Sequence, residues 1–242
     1  MALIRAGQAV ADSGGGAVAS TDPVVANAAT LTIGDWEDVE DVAPLAGQAL
    51  LMMTQAGDAL SFQPAWGSHY SGARLQDAIP AGDFLVAFDF AVARTANAVE
   101  AAGIWGVVGV APGGLEAAQV DWVGCGIDAR TAKSGSVNVQ GHYREASGLW
   151  LGLNLGPVGG HGGYGHRFAI QRSGTTMTLW VVEPGQNNLL QLGQRTNAGY
   201  AGEADVFIRT QGGAGAGNSR YVTLTRMALT GLAISGNRLV AA

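Results

Sequence analysis

The sequence predicts an all-β fold, an antiparallel two-sheet sandwich. Three observations carry that prediction. Apolar residues recur with a period of two in seven separate runs, which is the signature of strands with one buried face. Glycine-rich turn sequences separate those runs, with 38 glycines among 242 residues against an average of about 7%. No stretch holds an apolar period of 3.6 over helix length. Many short strands with glycine-rich turns build a sandwich or a barrel.

Taken in order, Met1 to Thr30 is rich in Ala, Gly, Ser and Val, is interrupted by Gly14-Gly15-Gly16, and reads as an extended arm. Such an arm is either a loosely ordered terminus or one that gains order by docking on a neighbouring subunit. The sandwich is expected over 31–242. Phe84, Val86, Phe88, Phe90 and Val92 alternate with Leu85, Ala87, Asp89, Ala91 and Ala93. Val137 and Val139 alternate with Asn138 and Gln140, and Leu149, Leu151, Leu153 and Leu155 with Trp150, Gly152 and Asn154. Phe168 and Ile170 share a face. Met177, Leu179 and Val181 alternate with Thr178, Trp180 and Val182. Val206 with Ile208 and Val222 with Leu224 complete the series. Arg172-Ser173-Gly174-Thr175 predicts a tight hairpin, with Gly174 supplying a positive φ. Lys133 to Ser136 and Glu183 to Gln186 read as further turns, and Gly156 to Gly165 and Gln211 to Ser219 as long glycine-rich loops. Ala96 to Ala102 has room for one helical turn, ended by Gly103.

Composition narrows the function classes. There are 13 Lys+Arg against 19 Asp+Glu, a net charge of −6, which argues against a nucleic-acid partner because that needs a basic stripe. Cys125 is the single cysteine, so neither an internal disulfide nor a cysteine metal site is expected. The N-terminus lacks an apolar run of signal-peptide length. Gly103 to Pro112, the most apolar stretch, is too short to span a bilayer, so no membrane insertion is expected.

From Gly82 onward the order of features resembles concanavalin A-like jelly rolls, laminin-G-like domains included, most strongly over 82–232. Three pieces carry the resemblance: Gly82 to Phe90 as an early inner strand, His166 to Trp180 as a hairpin, and Ala204 to Arg209 followed by Tyr221 to Leu232. The last run looks like the closing strand that returns beside the first. The Ala/Gly-rich arm, the single cysteine and the lone sandwich also look like a tailed-phage virion component. That second resemblance implies a spike, fibre or decoration protein assembled in the bacterial cytoplasm. It also implies a homo-oligomer, a trimer foremost, joined to other virion proteins through the arm.

Jelly-roll glycosidases carry paired carboxylates on one strand, in the form Glu-x-Asp-x-x-Glu. The densest acidic run here, Asp35 to Asp41, does not match that spacing and reads as a solvated edge or interface strand. Asp89, Asp121, Asp128 and Glu145 are the other carboxylates weighed for such a role. Trp150 and Trp180 fall out of phase with the aliphatic face of their strands. They therefore point away from the main core or into a second layer. Exposed aromatic rings with polar neighbours are the chemistry of a sugar platform, and Tyr143, Arg144 and Glu145 lie close to Trp150 in sequence. In the glycine-rich stretch, His161, Tyr164 and His166 are set to hydrogen-bond or stack. Two histidines five apart in a loop make a poor metal signal. The expected ligand-binding set is thus Trp150, Trp180, Tyr143, His161, Tyr164 and His166, with no catalytic residue, metal or cofactor. No nucleophile elbow is present. Cys125, between two glycines, reads as a small buried hydrophobe. The functional expectation is a non-enzymatic virion appendage that binds host surface polysaccharide. A purely structural decoration protein and a jelly-roll glycoside hydrolase are the alternatives.

Overall fold

The computed structural model describes residues 22–40, 51–64, 71–94, 104–112, 121–128, 136–144, 150–159, 164–182, 187–212 and 220–242. Sixteen strands run through them in chain order: β1 (Glu37–Glu40), β2 (Leu51–Ala56), β3 (Ala59–Pro64), β4 (Ser71–Ile79), β5 (Phe84–Arg94), β6 (Ile104–Pro112), β7 (Trp122–Asp128), β8 (Ser136–Arg144), β9 (Trp150–Gly159), β10 (Tyr164–Ser173), β11 (Thr176–Val182), β12 (Leu189–Thr196), β13 (Ala204–Gly212), β14 (Arg220–Ala228), β15 (Leu232–Ser235) and β16 (Arg238–Ala241). A single helical turn, α1 (Pro23–Ala26), precedes them.

Two seven-stranded antiparallel sheets face each other. Sheet A has the order β1-β4-β13-β6-β7-β8-β9, and sheet B the order β12-β11-β10-β5-β14-β3-β2. The predicted alternation holds: Val86, Phe88, Phe90 and Val92 are buried between the sheets with Phe168, Ile170, Leu179, Val222 and Leu224 of sheet B. Val108, Val110, Val123, Cys125, Ile127, Val206 and Ile208 of sheet A close the core from the other side. The hairpin at 172–175 forms as read. Ser173 pairs Thr176, Gly174 has φ of 60°, and its N–H donates to Asp83 Oδ1 at 2.7 Å. The closing strand also lands as expected, since β14 pairs β5 with Leu224 opposite Phe90.

Two readings change. The segment read as an extended arm contains a packed piece: α1 sits on the outer side of sheet B, with Val24 fully buried. Residues 1–21 of the arm lie outside the described residues. The stretch Gly156 to Gly165, read as one loop, is entered by strands from both sides, β9 reaching Gly159 and β10 starting at Tyr164. Main-chain pairing satisfies the backbone there whatever the side chain, so glycine content alone does not mark a loop. The turns at 133–135 and 183–186 and the helical turn at 96–102 fall outside the described residues.

The ends of the sandwich are fastened by buried arginine. Arg172, 2% exposed, points from β10 into the end of the core. Its guanidinium donates to the carbonyls of Gly82, Tyr200, Gly202 and Pro80 at 2.5 to 3.2 Å and lies 4.6 Å over the Phe84 ring. One side chain thereby ties the 80–83 turn to the 3-10 turn at 198–200. Burial pulls the Arg172 pKa below its ordinary value, against the pull of Asp83.

A second, smaller core lies on the outer side of sheet B. Ala87, Ala169, Val182, Leu189 and Ala228 of that sheet meet Val24 of α1 and Leu232 and Leu239 of the β15–β16 hairpin. Sheet B is thus covered on both faces over this region.

Candidate functional site

Among the described residues, the outer face of sheet A brings together polar and aromatic groups from β13, β7 and β8. Its residues are fixed by register. On β7, Val123, Cys125 and Ile127 enter the core, so Trp122, Gly124, Gly126 and Asp128 take the opposite side. The same alternation gives Val107 and Gly109 on β6, Asp205, Phe207 and Arg209 on β13, and Gln140, His142 and Arg144 on β8. Pairing sets Gly124 between Gly109 and His142, and Trp122 opposite Arg144.

The glycines form a floor because side chains lie flat across it. A Cβ on Gly109 would run into the Val123 carbonyl and the Phe207 ring. One on Gly124 or Gly126 would meet Val107, and on Gly126 the His142 imidazole as well. Over this floor Trp122 and Phe207 pack edge to face at 5.1 Å, and the Arg209 guanidinium stands 5.7 Å from the Trp122 ring. Toward β4 and β1, Arg74 donates to Glu37 at 3.1 Å and pairs with Asp205 at 3.5 Å. Asp205 also accepts the Asp77 N–H at 2.9 Å, which holds Asp77 at a φ of 48°. Trp122, Phe207 and His142 are buried, while Gln140 and Arg144 toward β9 are half-buried.

Of the expected ligand set, Tyr143, Trp180 and His166 do not converge. Tyr143 is the clearest departure: its neighbours in β8 put it on the inner face, 2% exposed, with its hydroxyl buried and no hydrogen-bond partner. Burial pushes that hydroxyl's pKa upward, with Cys125 and Tyr200 adding to the shift. Trp180 does turn away from the main core, as its phase predicts, but it packs half-buried against the smaller core. Its indole N–H is buried with no hydrogen-bond partner. His166, on the inner side of sheet B opposite Phe90, is half-buried with its ring 6.1 Å from Phe168. Burial lowers its pKa. Tyr164, at the start of β10, pairs Val92 of β5. Trp150 pairs Arg144, in the cross-strand row that continues to Trp122. His161 and Glu145 lie outside the described residues.

Sequence reasoning missed Trp122, Phe207 and Arg209 as a unit because they come from two strands far apart in the chain. The available signal was Trp122-Val123-Gly124-Cys125-Gly126-Ile127-Asp128: an alternation in which glycine replaces every side chain between a tryptophan and an acid. That pattern marks a strand whose outer face is kept low.

The weighed carboxylates are dispersed. Asp121 and Asp128 stand at opposite ends of β7, seven residues or roughly 23 Å apart at about 3.3 Å per residue. Asp89 is on the other sheet, gripped by Arg167 at 2.6 and 2.9 Å and by Arg226 at 3.3 Å. Of the acidic run, Glu37 to Glu40 forms the edge strand β1. Cys125 is fully buried, and burial raises its thiol pKa. Among the described residues, no group of three His, Cys, Asp or Glu is placed to hold a metal ion, and no helix is long and apolar enough to cross a membrane.

No protein-family model matches the sequence, and neither does any curated protein. Solved structures do resemble it. The Bacillus licheniformis β-glucanase superimposes with a TM-score of 0.50 at 12% identity, over 83% of this chain and 94% of that chain. The CBM2 module of the evolved Dit of Lactobacillus casei BL23 phage J-1 gives 0.49 at 9% identity, over 83% and 92%. Peanut lectin gives 0.48 at 10% identity, over 83% and 93%. At such identities the likeness is one of architecture alone. Strand order and superposition together define a concanavalin A-like jelly roll.

Proposed function

We propose that this chain is a non-enzymatic jelly-roll module of a phage-like particle that binds surface polysaccharide across the β8–β9 side of sheet A. The observation that carries the reading is the register that sets Trp122, Arg144 and Trp150 side by side across β7, β8 and β9, with Gln140 and Arg144 half-buried on that side. The glycine floor seats Phe207, Val107 and His142 against the sheet, and Gln140 and Arg144 stand half-buried at the β8 side of that layer. Guanidinium and amide groups supply hydrogen bonds to hydroxyls. The half-buried Gln140 and Arg144 are the groups a ligand meets first. Placement in a particle rests on composition and on the N-terminal arm.

The non-catalytic part rests on the arrangement of acids. Two carboxylates that cleave a glycoside flank the bond at roughly 5–10 Å. Glu37 and Asp205 both pair with Arg74, at 3.1 and 3.5 Å, which neutralises them as ion-pair partners. The in-phase acids Asp38 and Glu40 lie on the edge strand β1, at the end of sheet A opposite β9.

A glycan array probed with the full chain tests the proposal. Binding to a surface polysaccharide is expected, with at least a tenfold loss in Arg144→Ala and Gln140→Ala and no release of reducing ends on incubation. An array with no bound glycan overturns it. One observation favours a second reading, a structural particle component without a ligand: Trp122 is only 1% exposed, so its ring already has packing partners. An empty array together with the chain's presence in purified particles selects that reading.

A further inference from the structure

We propose that the outer face of sheet B carries a site for an uncharged oligosaccharide, with the Trp180 ring at its foot and the side-chain amides of Gln171, Gln191 and Gln194 around it. The inference stands apart from the polysaccharide reading of sheet A, since all four residues belong to β10, β11 and β12 of sheet B. On β11, Met177 and Leu179 enter the main core, so Thr178 and Trp180 take the outer side. Pairing builds two rows there. Ala169, Trp180 and Gln191 stand side by side across the three strands, and Gln171, Thr178 and Gln194 form the next row. Trp180 packs half-buried against the smaller core, which leaves part of its ring uncovered. Gln191 and Gln194 are exposed, and Gln171 is half-buried.

Two features set this face apart from ordinary solvated sheet. The first is a bulge. Strict alternation would put Gln191 and Gln194 on opposite faces of β12. Instead the register shifts between Leu179 and Trp180: Leu192 enters the main core, Gly193 falls opposite Leu179, and Gln194 returns to the outer side opposite Thr178. Such a bulge re-aims a side chain, and here it gathers both glutamines around one tryptophan. The second feature is the chemistry of the surroundings. The amides of Gln171, Gln191 and Gln194 make no hydrogen bond to another described residue. From Trp180 to the hairpin turn, the described residues on the outer side of β10, β11 and β12 include no charged one, with Ser173, Thr176 and Thr196 making the row beyond. An indole face takes the C–H side of a pyranose ring, and an amide, both donor and acceptor, matches hydroxyls that are both as well. No group in these rows answers a carboxylate, sulfate or phosphate, and a net charge of −6 opposes a polyanion. The three strands span about 10 Å and the two rows lie about 7 Å apart, the footprint of one or two sugar rings.

Titrating the isotope-labelled full chain with cellotetraose and with mannotetraose, to about 10 mM, tests this by NMR. At least one of the two is expected to move the side-chain amide signals of Gln191 and Gln194 and the indole signal of Trp180 on one binding curve. Tetragalacturonate, with a carboxylate on every ring, is expected to leave them in place. Gln191→Ala and Gln194→Ala, at exposed positions, should each weaken binding about fivefold, and Trp180→Leu, which keeps apolar contact with the smaller core, at least as much. If Trp180→Leu loses the dispersed amide spectrum of the folded chain, the two glutamine variants decide. The proposal falls if neither neutral sugar moves these signals, if the variants bind as the wild type does, or if tetragalacturonate engages the same groups as tightly. It falls equally if the shifts gather at Gln140 and along β8 and β9, an outcome that leaves the sheet A reading standing. Shifts at the Trp180 face with none at Gln140 uphold this site even where the sheet A reading fails.

Discussion

At the scale of single residues, two positions show how the fold reads side-chain volume and charge. Gly109 has the Val123 carbonyl and the Phe207 ring where a methyl group would go, whereas Gly34 faces open space. Overpacking against backbone costs about 1–3 kcal/mol. Gly109→Ala should therefore lower stability by that amount in urea unfolding, while Gly34→Ala stays within about 0.5 kcal/mol. Arg172 is the other position. Arg172→Met keeps the aliphatic stem but strips four carbonyls of their donor. Hydrogen bonds to a charged group and the desolvation of orphaned acceptors put the loss at about 3 kcal/mol. A melting temperature lower by about 6–12 °C is the expected reading for a chain of this size. Arg172 was legible from sequence only as one end of a hairpin. Its role depends on the 80–83 and 198–202 turns meeting at one end of the sandwich, and local pattern does not encode that meeting.

At the scale of elements, legibility followed periodicity. Strands β5, β8 to β11, β13 and β14 carry clean alternation, and the sequence reading found each of them. The strands β2 and β3 escaped it, although Gly57 between them has φ of 60° and Gly57-Asp58 is a two-residue hairpin signal. Their flanks, Leu51 to Ala56 and Ala59 to Pro64, mix Met, Gln, Ala and Ser, so the period of two is blurred. The same kind of loop recurs at Gly236, which joins β15 to β16. Gly174 tests the turn chemistry directly. Placing a Cβ at its φ of 60° costs about 1–2 kcal/mol. Gly174→Ala should show that loss in thermal unfolding, with the fold's circular dichroism unchanged. The outer-face unit of Trp122, Phe207 and Arg209 escaped for a different reason: register between distant strands, not spacing within one, brings it together.

At the scale of the whole molecule, stability should depend on pH through His166. Burial lowers its folded-state pKa, while the unfolded chain titrates near 6.5. The unfolded state therefore binds the proton more readily. The stability tied to neutral His166 is complete above about pH 6.5 and is lost as pH falls through that value toward the folded pKa. Urea midpoints compared at about pH 7.5 and 5.5 should fall in the wild type, and fall less in His166→Gln. An equal fall in both proteins would assign the acid sensitivity to other groups. Across the same scale, the two faces divide the work: sheet B carries the smaller core and the clasp of Asp22, Arg167 and Asp89, while sheet A carries the polar and aromatic face.

The lone thiol at Cys125 has a practical consequence. Sealed between the sheets and held in its protonated form, it is silent toward maleimides and other thiol reagents in the native state. A cysteine introduced anywhere on the exterior therefore reacts alone, and a dye or spin label attached there reports from one known address without any background substitution.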